Sequence, residues 1–145
     1  MTRPICLIFA AASLVLAARV ALAGEHLPLI EHALSDTITH VGGKDDSVGN
    51  LLTFANPVFD ATNRTQIGSD QGFCVRVAVG KSWECFWTVT LKSGQITVEG
   101  PFQDQGDSIL AITGGTGKYT GAKGVLKLHP RDAQGSAYDF DYELQ

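Results

Sequence analysis

The sequence predicts an all-β domain of eight short strands, closed into a barrel or stacked as a sandwich. Three observations carry that prediction. Past the N-terminal segment, no long amphipathic helical pattern is visible. Short apolar or alternating runs recur at close spacing, separated by Gly, Asp, Asn and Ser. The segment 107–124, DSILAITGGTGKYTGAKG, sets Gly114, Gly115, Gly117, Gly121 and Gly124 between strand-like runs at Ile109–Ile112 and Val125–Leu128. Glycine reaches positive φ at no steric cost, so such a cluster marks a chain turning between strands.

The elements follow in order. Residues 1–23 read as a secretory signal peptide rather than as fold. Arg3 supplies a basic start, Ile5–Val20 is apolar apart from Ser13 and Arg19, and Ala21-Leu22-Ala23 is an A-x-A cleavage site. The uninterrupted apolar core, Ile5–Ala18, is shorter than the ~20 residues a membrane span needs. Cleavage after Ala23 leaves residues 24–145, a single domain large enough to bury a core. The expected location is secreted or periplasmic, with no membrane span once the leader is gone.

Strands are expected near 28–40, 48–59, 72–79, 83–91, 95–100, 107–112, 122–129 and 136–143. Turn chemistry separates them. Gly42-Gly43-Lys44-Asp45-Asp46 follows the first, and Asp60–Gln71 is a polar loop before the third. Lys92-Ser93-Gly94 is a tight hairpin turn, Gln103–Gly106 is a loop, and Arg131–Gly135 precedes the last strand.

Losing Arg3 and Arg19 with the leader, and no acid, moves the formal charge from −4 to −6. A negative chain without a basic cluster is a poor ligand for nucleic acid. Cys6 leaves with the leader, so Cys74 and Cys85 remain. An exported pair usually bridges. A hairpin pairing about Val79 and Gly80 sets Cys74 opposite Cys85, so a cross-strand disulfide is expected.

Alternation assigns faces. Trp83, Cys85, Trp87, Val89 and Leu91 share one side of their strand, and Cys74 and Arg76 point the same way if the disulfide forms. The opposite face of the neighbouring strand, Phe73, Val75, Val77 and Val79, is also apolar. Such a strand buries both faces, one in a lumen and one against a partner subunit.

Several chemistries are excluded by pattern. Gly115-Thr116-Gly117-Lys118 resembles a phosphate loop at a glance. Tyr119 stands where that motif needs Ser or Thr, and Ile112 where it needs Gly. His26, His32, His40 and His129 are scattered, without metal-ligand spacing, so no metal is expected. There is no G-x-S-x-G elbow. Asn63-Arg64-Thr65 is a glycosylation sequon. Among the acids, Glu31 stands out, because it interrupts the apolar run Leu27–Leu34. Inside a lumen its carboxyl would lose hydration and become a general acid or base; facing outward it would be an ordinary surface residue.

Residues 48–59, VGNLLTFANPVF, then 67–76, IGSDQGFCVR, then 96–128 resemble the allene oxide cyclase barrel in order and spacing. The Gly-Gly-Thr-Gly-Lys-Tyr stretch is similar to dirigent proteins, which share that barrel. The resemblance implies an eight-stranded antiparallel barrel, often trimeric, with a hydrophobic cavity. It implies cavity positions at Phe54, Asn56, Cys74 and Trp83, and a first-strand carboxylate at Glu31. Phe102 stands where the cyclases carry a tyrosine, Ala33 where they carry an Asn, and Asn50 where they carry an Asp. Lys123 sits where dirigent proteins commonly have an Arg.

The expected function is a lumen that binds a hydrophobic or phenolic molecule and steers cyclisation, isomerisation or coupling by proximity. Glu31 and Asn56 are the expected catalytic residues; Phe54, Arg76, Trp83, Trp87 and Phe102 are the expected substrate contacts. No cofactor is expected. The alternatives are a lyase or decarboxylase of phenolic compounds, a non-catalytic carrier of lipophilic ligands, and a structural protein whose lumen is filled by side chains.

Overall fold

Strict alternation of buried and exposed residues shapes this molecule more than any single motif. In the computed structural model, which describes residues 24–145, Trp83, Cys85, Trp87 and Val89 are buried while Glu84, Phe86 and Thr90 between them are exposed. The signal peptide expected over 1–23 lies outside the described residues. The strands are β1 (Glu25–His32), β2 (Thr37–Thr39), β3 (Leu51–Asp60), β4 (Gln66–Ala78), β5 (Ser82–Leu91), β6 (Gly94–Gln103), β7 (Ser108–Gly115), β8 (Gly124–Pro130) and β9 (Ala137–Leu144).

They form one antiparallel sheet in the order β1-β9-β8-β7-β6-β5-β4-β3-β2. A further pairing, Leu29 to Asp60 and Glu31 to Val58, joins β1 to β3 and closes the sheet into an eight-stranded barrel. Closure leaves these strands without a long free edge. Inside, Val58, Val89, Ile96, Val98, Leu110, Leu126 and Tyr142 are essentially solvent-free. A one-turn 3-10 helix, Gly117–Tyr119, covers one end and buries Tyr119. The glycine cluster serves that turn. Gly117 sits at φ +59°, and a Cβ there would press on the Ser93 carbonyl.

The strand expected over 28–40 is one stave in two pieces. β1 pairs with the far part of β3, and β2 pairs with Leu51–Thr53. Between them, at residues 33–36, side chains replace the ladder. The amides of Leu34 and Ser35 each donate to Asn56 Oδ1 at 2.9 Å. Ser35 Oγ accepts from the Ala55 amide and donates to the Ala55 carbonyl, both at 2.8 Å.

The second departure is β4, which starts at Gln66 rather than 72. Gly-Ser-Asp-Gln-Gly has turn composition, but here Gly72 lies in the ladder between Phe54 and Trp87. A Cβ on Gly72 would collide with the Trp87 Cβ and the Phe86 carbonyl. The glycine is required by close packing and not by a turn.

Candidate functional site

Inward positions of β3, β4, β5, β6, β8 and β9 converge toward the end opposite the 3-10 turn. They enclose a cavity of about 50 Å³. Its wall is aromatic: Phe54, Trp87, Phe102, Tyr138 and Phe140. Trp87 stacks on Phe140 at 5.7 Å and meets the edge of Phe54 at 6.0 Å; Phe102 meets Tyr138 edge-on at 5.8 Å. The Cys74–Cys85 disulfide forms part of the wall. The two half-cystines are direct register partners on β4 and β5, as the hairpin pairing requires. Bridged, Cys74 offers the cavity no thiol.

The polar part of the wall is Glu31 and Asp36. Glu31 is 4% exposed, yet its carboxyl borders the cavity. Asn56 holds it there. Asn56 Nδ2 donates to Glu31 Oε1 at 2.6 Å and to Asp36 Oδ1 at 2.9 Å. With Oδ1 already capping the break in the first stave, the Asn56 amide has no donor left for a ligand. Asn56 does not line the cavity; its place is behind Glu31.

Burial shifts the local acids. It pushes the Glu31 carboxyl up to about 7, with the Asp36 charge adding to the rise and the Asn56 hydrogen bond opposing it. Asp70, on β4 opposite Asn56, is 1% exposed. Burial and the Glu31 charge push it up to about 9. Burial also raises the Tyr138 phenol to about 12 and lifts Tyr142 further still. A carboxyl poised near neutrality beside an aromatic cavity can both take and give a proton.

The structure therefore gathers Glu31, Phe54, Trp87 and Phe102 around one space. Arg76 and Trp83 fall outside it. Arg76 Nε donates to Asp46 at 2.8 Å, and Nη1 contacts both Asp104 oxygens at 2.6 and 2.8 Å. Its guanidinium lies 3.9 Å from the Trp83 ring centroid. That arrangement ties the loops around Asp46 and Asp104 to the barrel rim, with the charge already matched. Asp70, Tyr138 and Phe140 were missed by the sequence reading. The signal was present, because Asp70 is four residues from Cys74 and therefore on the same strand face. Among the described residues, no group of three or more His, Cys, Asp or Glu is arranged to hold a metal ion.

The sequence profile of the family described as allene oxide cyclase matches residues 32–131. A structure of pyocyanin demethylase superposes with a TM-score of 0.70 at 23% identity, covering 83% of this chain and 100% of that one. The pterocarpan synthase dirigent protein PsPTS1 gives 0.71 at 15% identity, covering 81% and 92%. The Diels-Alderase AbmU from Streptomyces koyangensis gives 0.65 at 14% identity, covering 86% and 69%. At these identities the likeness establishes the barrel and nothing about its chemistry.

Proposed function

The chain belongs to the allene oxide cyclase family, and from that premise we propose that its lumen binds a small hydrophobic or aromatic molecule with which Glu31 exchanges a proton. The reaction class is a cyclisation, isomerisation or stereoselective coupling, in which the aromatic wall fixes one conformer of the substrate. The observation that carries this reading is Glu31, a carboxyl pushed up to about 7 at the edge of an aromatic cavity and held in place by Asn56. As base, the Glu31 carboxylate accepts a proton, and the electron pair of the broken bond stays on the substrate. The protonated carboxyl then returns the proton at another position. The names of the proteins sharing the barrel, a demethylase, a pterocarpan synthase and a Diels-Alderase, support a small-molecule reaction in the lumen.

The cavity volume favours a second reading. About 50 Å³ is far below the roughly 300–1,000 Å³ of ordinary ligand pockets. A ring-sized ligand enters only if the half-buried Phe54 and Phe102 turn aside. If they do not, the lumen is filled and the protein is structural. Export of the chain and a homo-oligomer, with a trimer implied by the family resemblance, complete the proposal. The second rests on Phe73, Val77 and Phe86, which are exposed on the outer faces of β4 and β5.

Native mass spectrometry of the oxidised protein from its own host tests this directly. The proposal expects oligomers carrying a small molecule, whose chemistry then names the substrate for turnover assays. An empty protein that also refuses aromatic and fatty-acid probes would establish the filled lumen instead.

A further inference from the structure

Behind Glu31 lies an acid that touches no ligand space. Asp70 does not line the cavity. Its Oδ1 accepts one long hydrogen bond from the Asn56 backbone N–H, at 3.3 Å. Its Oδ2 is buried and has no partner among the described residues. Asn56 bridges the two acids, its Nδ2 donating to Glu31 Oε1 at 2.6 Å and its backbone N–H to Asp70 Oδ1 at 3.3 Å. Two bare carboxylates, 1% and 4% exposed and held on the same residue, cannot both ionise without a cation. Among the described residues no cationic side chain pairs with either. The ion pairs use Arg76, Lys118, Lys127, Arg131, His26 and His129, and none involves Glu31, Asp36 or Asp70.

We propose that Asp70 is a positioning residue: it keeps a proton on Oδ2 and donates it as a hydrogen bond to the Glu31 carboxylate, so that the two acids share one negative charge. Placing the proton there removes one buried charge and turns the orphaned oxygen into a donor with a partner. The charge belongs on Glu31 for two reasons. Glu31 already accepts the short Asn56 Nδ2 bond, whereas Asp70 has only the long bond from the Asn56 backbone N–H. Glu31 also borders the cavity, and Asp70 does not.

The surroundings fit. From β5 the Trp87 indole, and from β9 the Tyr138 and Tyr142 phenols, face this pair as neutral groups, both phenols being pushed up by burial. Asp36, on the connection between β1 and β2, shares the Asn56 amide with Glu31 and makes protonation of Asp70 more favourable. During turnover Asp70 keeps its own proton, and only Glu31 exchanges one with the ligand. That last role rests on the proposed function; the shared charge does not.

The test therefore needs no substrate. Aspartates are labelled at Cγ with carbon-13 in the otherwise natural protein and titrated by NMR, while infrared spectra follow the protonated-carboxyl stretch. One aspartate is expected to titrate near 9, and the band is expected to persist at about pH 8, above the Glu31 titration. In Asp70→Asn the high aspartate and the band at that pH vanish, while Glu31 keeps its raised titration because the amide also donates. In Asp70→Leu, which cannot donate, Glu31 moves higher. If no aspartate of the natural protein titrates high, or the band at that pH survives in Asp70→Asn, the shared proton is overturned. The labelled natural protein decides even if both variants fail to fold. A high-titrating aspartate in a barrel that binds and converts nothing would sink the proposed function and leave the pair standing.

Discussion

The two ends of this barrel are built from the same alternating strands and do opposite things with their interior. At the end covered by the 3-10 turn, Ile96, Tyr119 and Leu126 fill the lumen. At the other, Gly72 removes a side chain between Phe54 and Trp87, the first stave breaks, and acids enter. The first end gains stability from apolar burial at about 25 cal/mol per Å². The second buries Glu31, Asn56 and Asp70, which cost free energy unless each finds a partner. The packed end is apolar throughout, and the other end adds buried polar groups to its aromatic wall.

The contrast can be broken most sharply at Glu31. Glu31→Gln is expected to lower turnover of a verified substrate by roughly 10²–10⁴-fold, the ordinary worth of a general acid or base. The same change should not destabilise the fold, because it removes a buried charge and keeps the shape. Leu126→Ala should do the reverse. It is expected to cost about 2–5 kcal/mol of stability, measured by urea unfolding, by leaving a cavity at the packed end. If the two variants lost stability equally, the division between the ends would fail.

Replacing Cys74 and Cys85 together by Ala should cost about 3 kcal/mol, as expected for a bridge spanning 11 residues. A further effect comes from pH. Glu31 and Asp70 have folded values raised above their unfolded ones, so the folded state binds more protons. Their contribution is fully present below the ordinary carboxylate range and is lost as pH rises through about 7 and then about 9. The melting temperature should therefore decline across that window, and Glu31→Gln/Asp70→Asn should flatten the decline. The smallest effect is expected at the half-buried mouth. Phe102→Ala should cost less than about 1.5 kcal/mol, since its side chain is only partly enclosed, while admitting bulkier aromatic probes.

The inward face was easy to read in the sequence, because period-2 alternation through Trp83–Leu91 states which side chains face the lumen. The hairpin that pairs Cys74 with Cys85 followed from the same counting. Glu31 was legible as a polar interruption of an apolar run. Asp70 was not, because Gly-Ser-Asp-Gln-Gly has the composition of a turn, and only its phase relative to Cys74 places it inside. Asn56 was legible as a site residue, but its contacts with Glu31 and with the first stave were not. Whether an amide faces a ligand or caps a break in a strand 21 and 22 residues earlier in the chain is decided by tertiary hydrogen bonds that local composition does not encode. Arg76 likewise looked free to bind substrate until Asp46 and Asp104 came to it from distant loops.

The most direct measurement is a titration of glutamates labelled at Cδ with carbon-13, with Glu31→Gln used for assignment. The account predicts one glutamate resonance titrating near 7, absent in Glu31→Gln and displaced when an aromatic ligand occupies the lumen. A Glu31 that titrates near the model-peptide value of about 4.3 would contradict it.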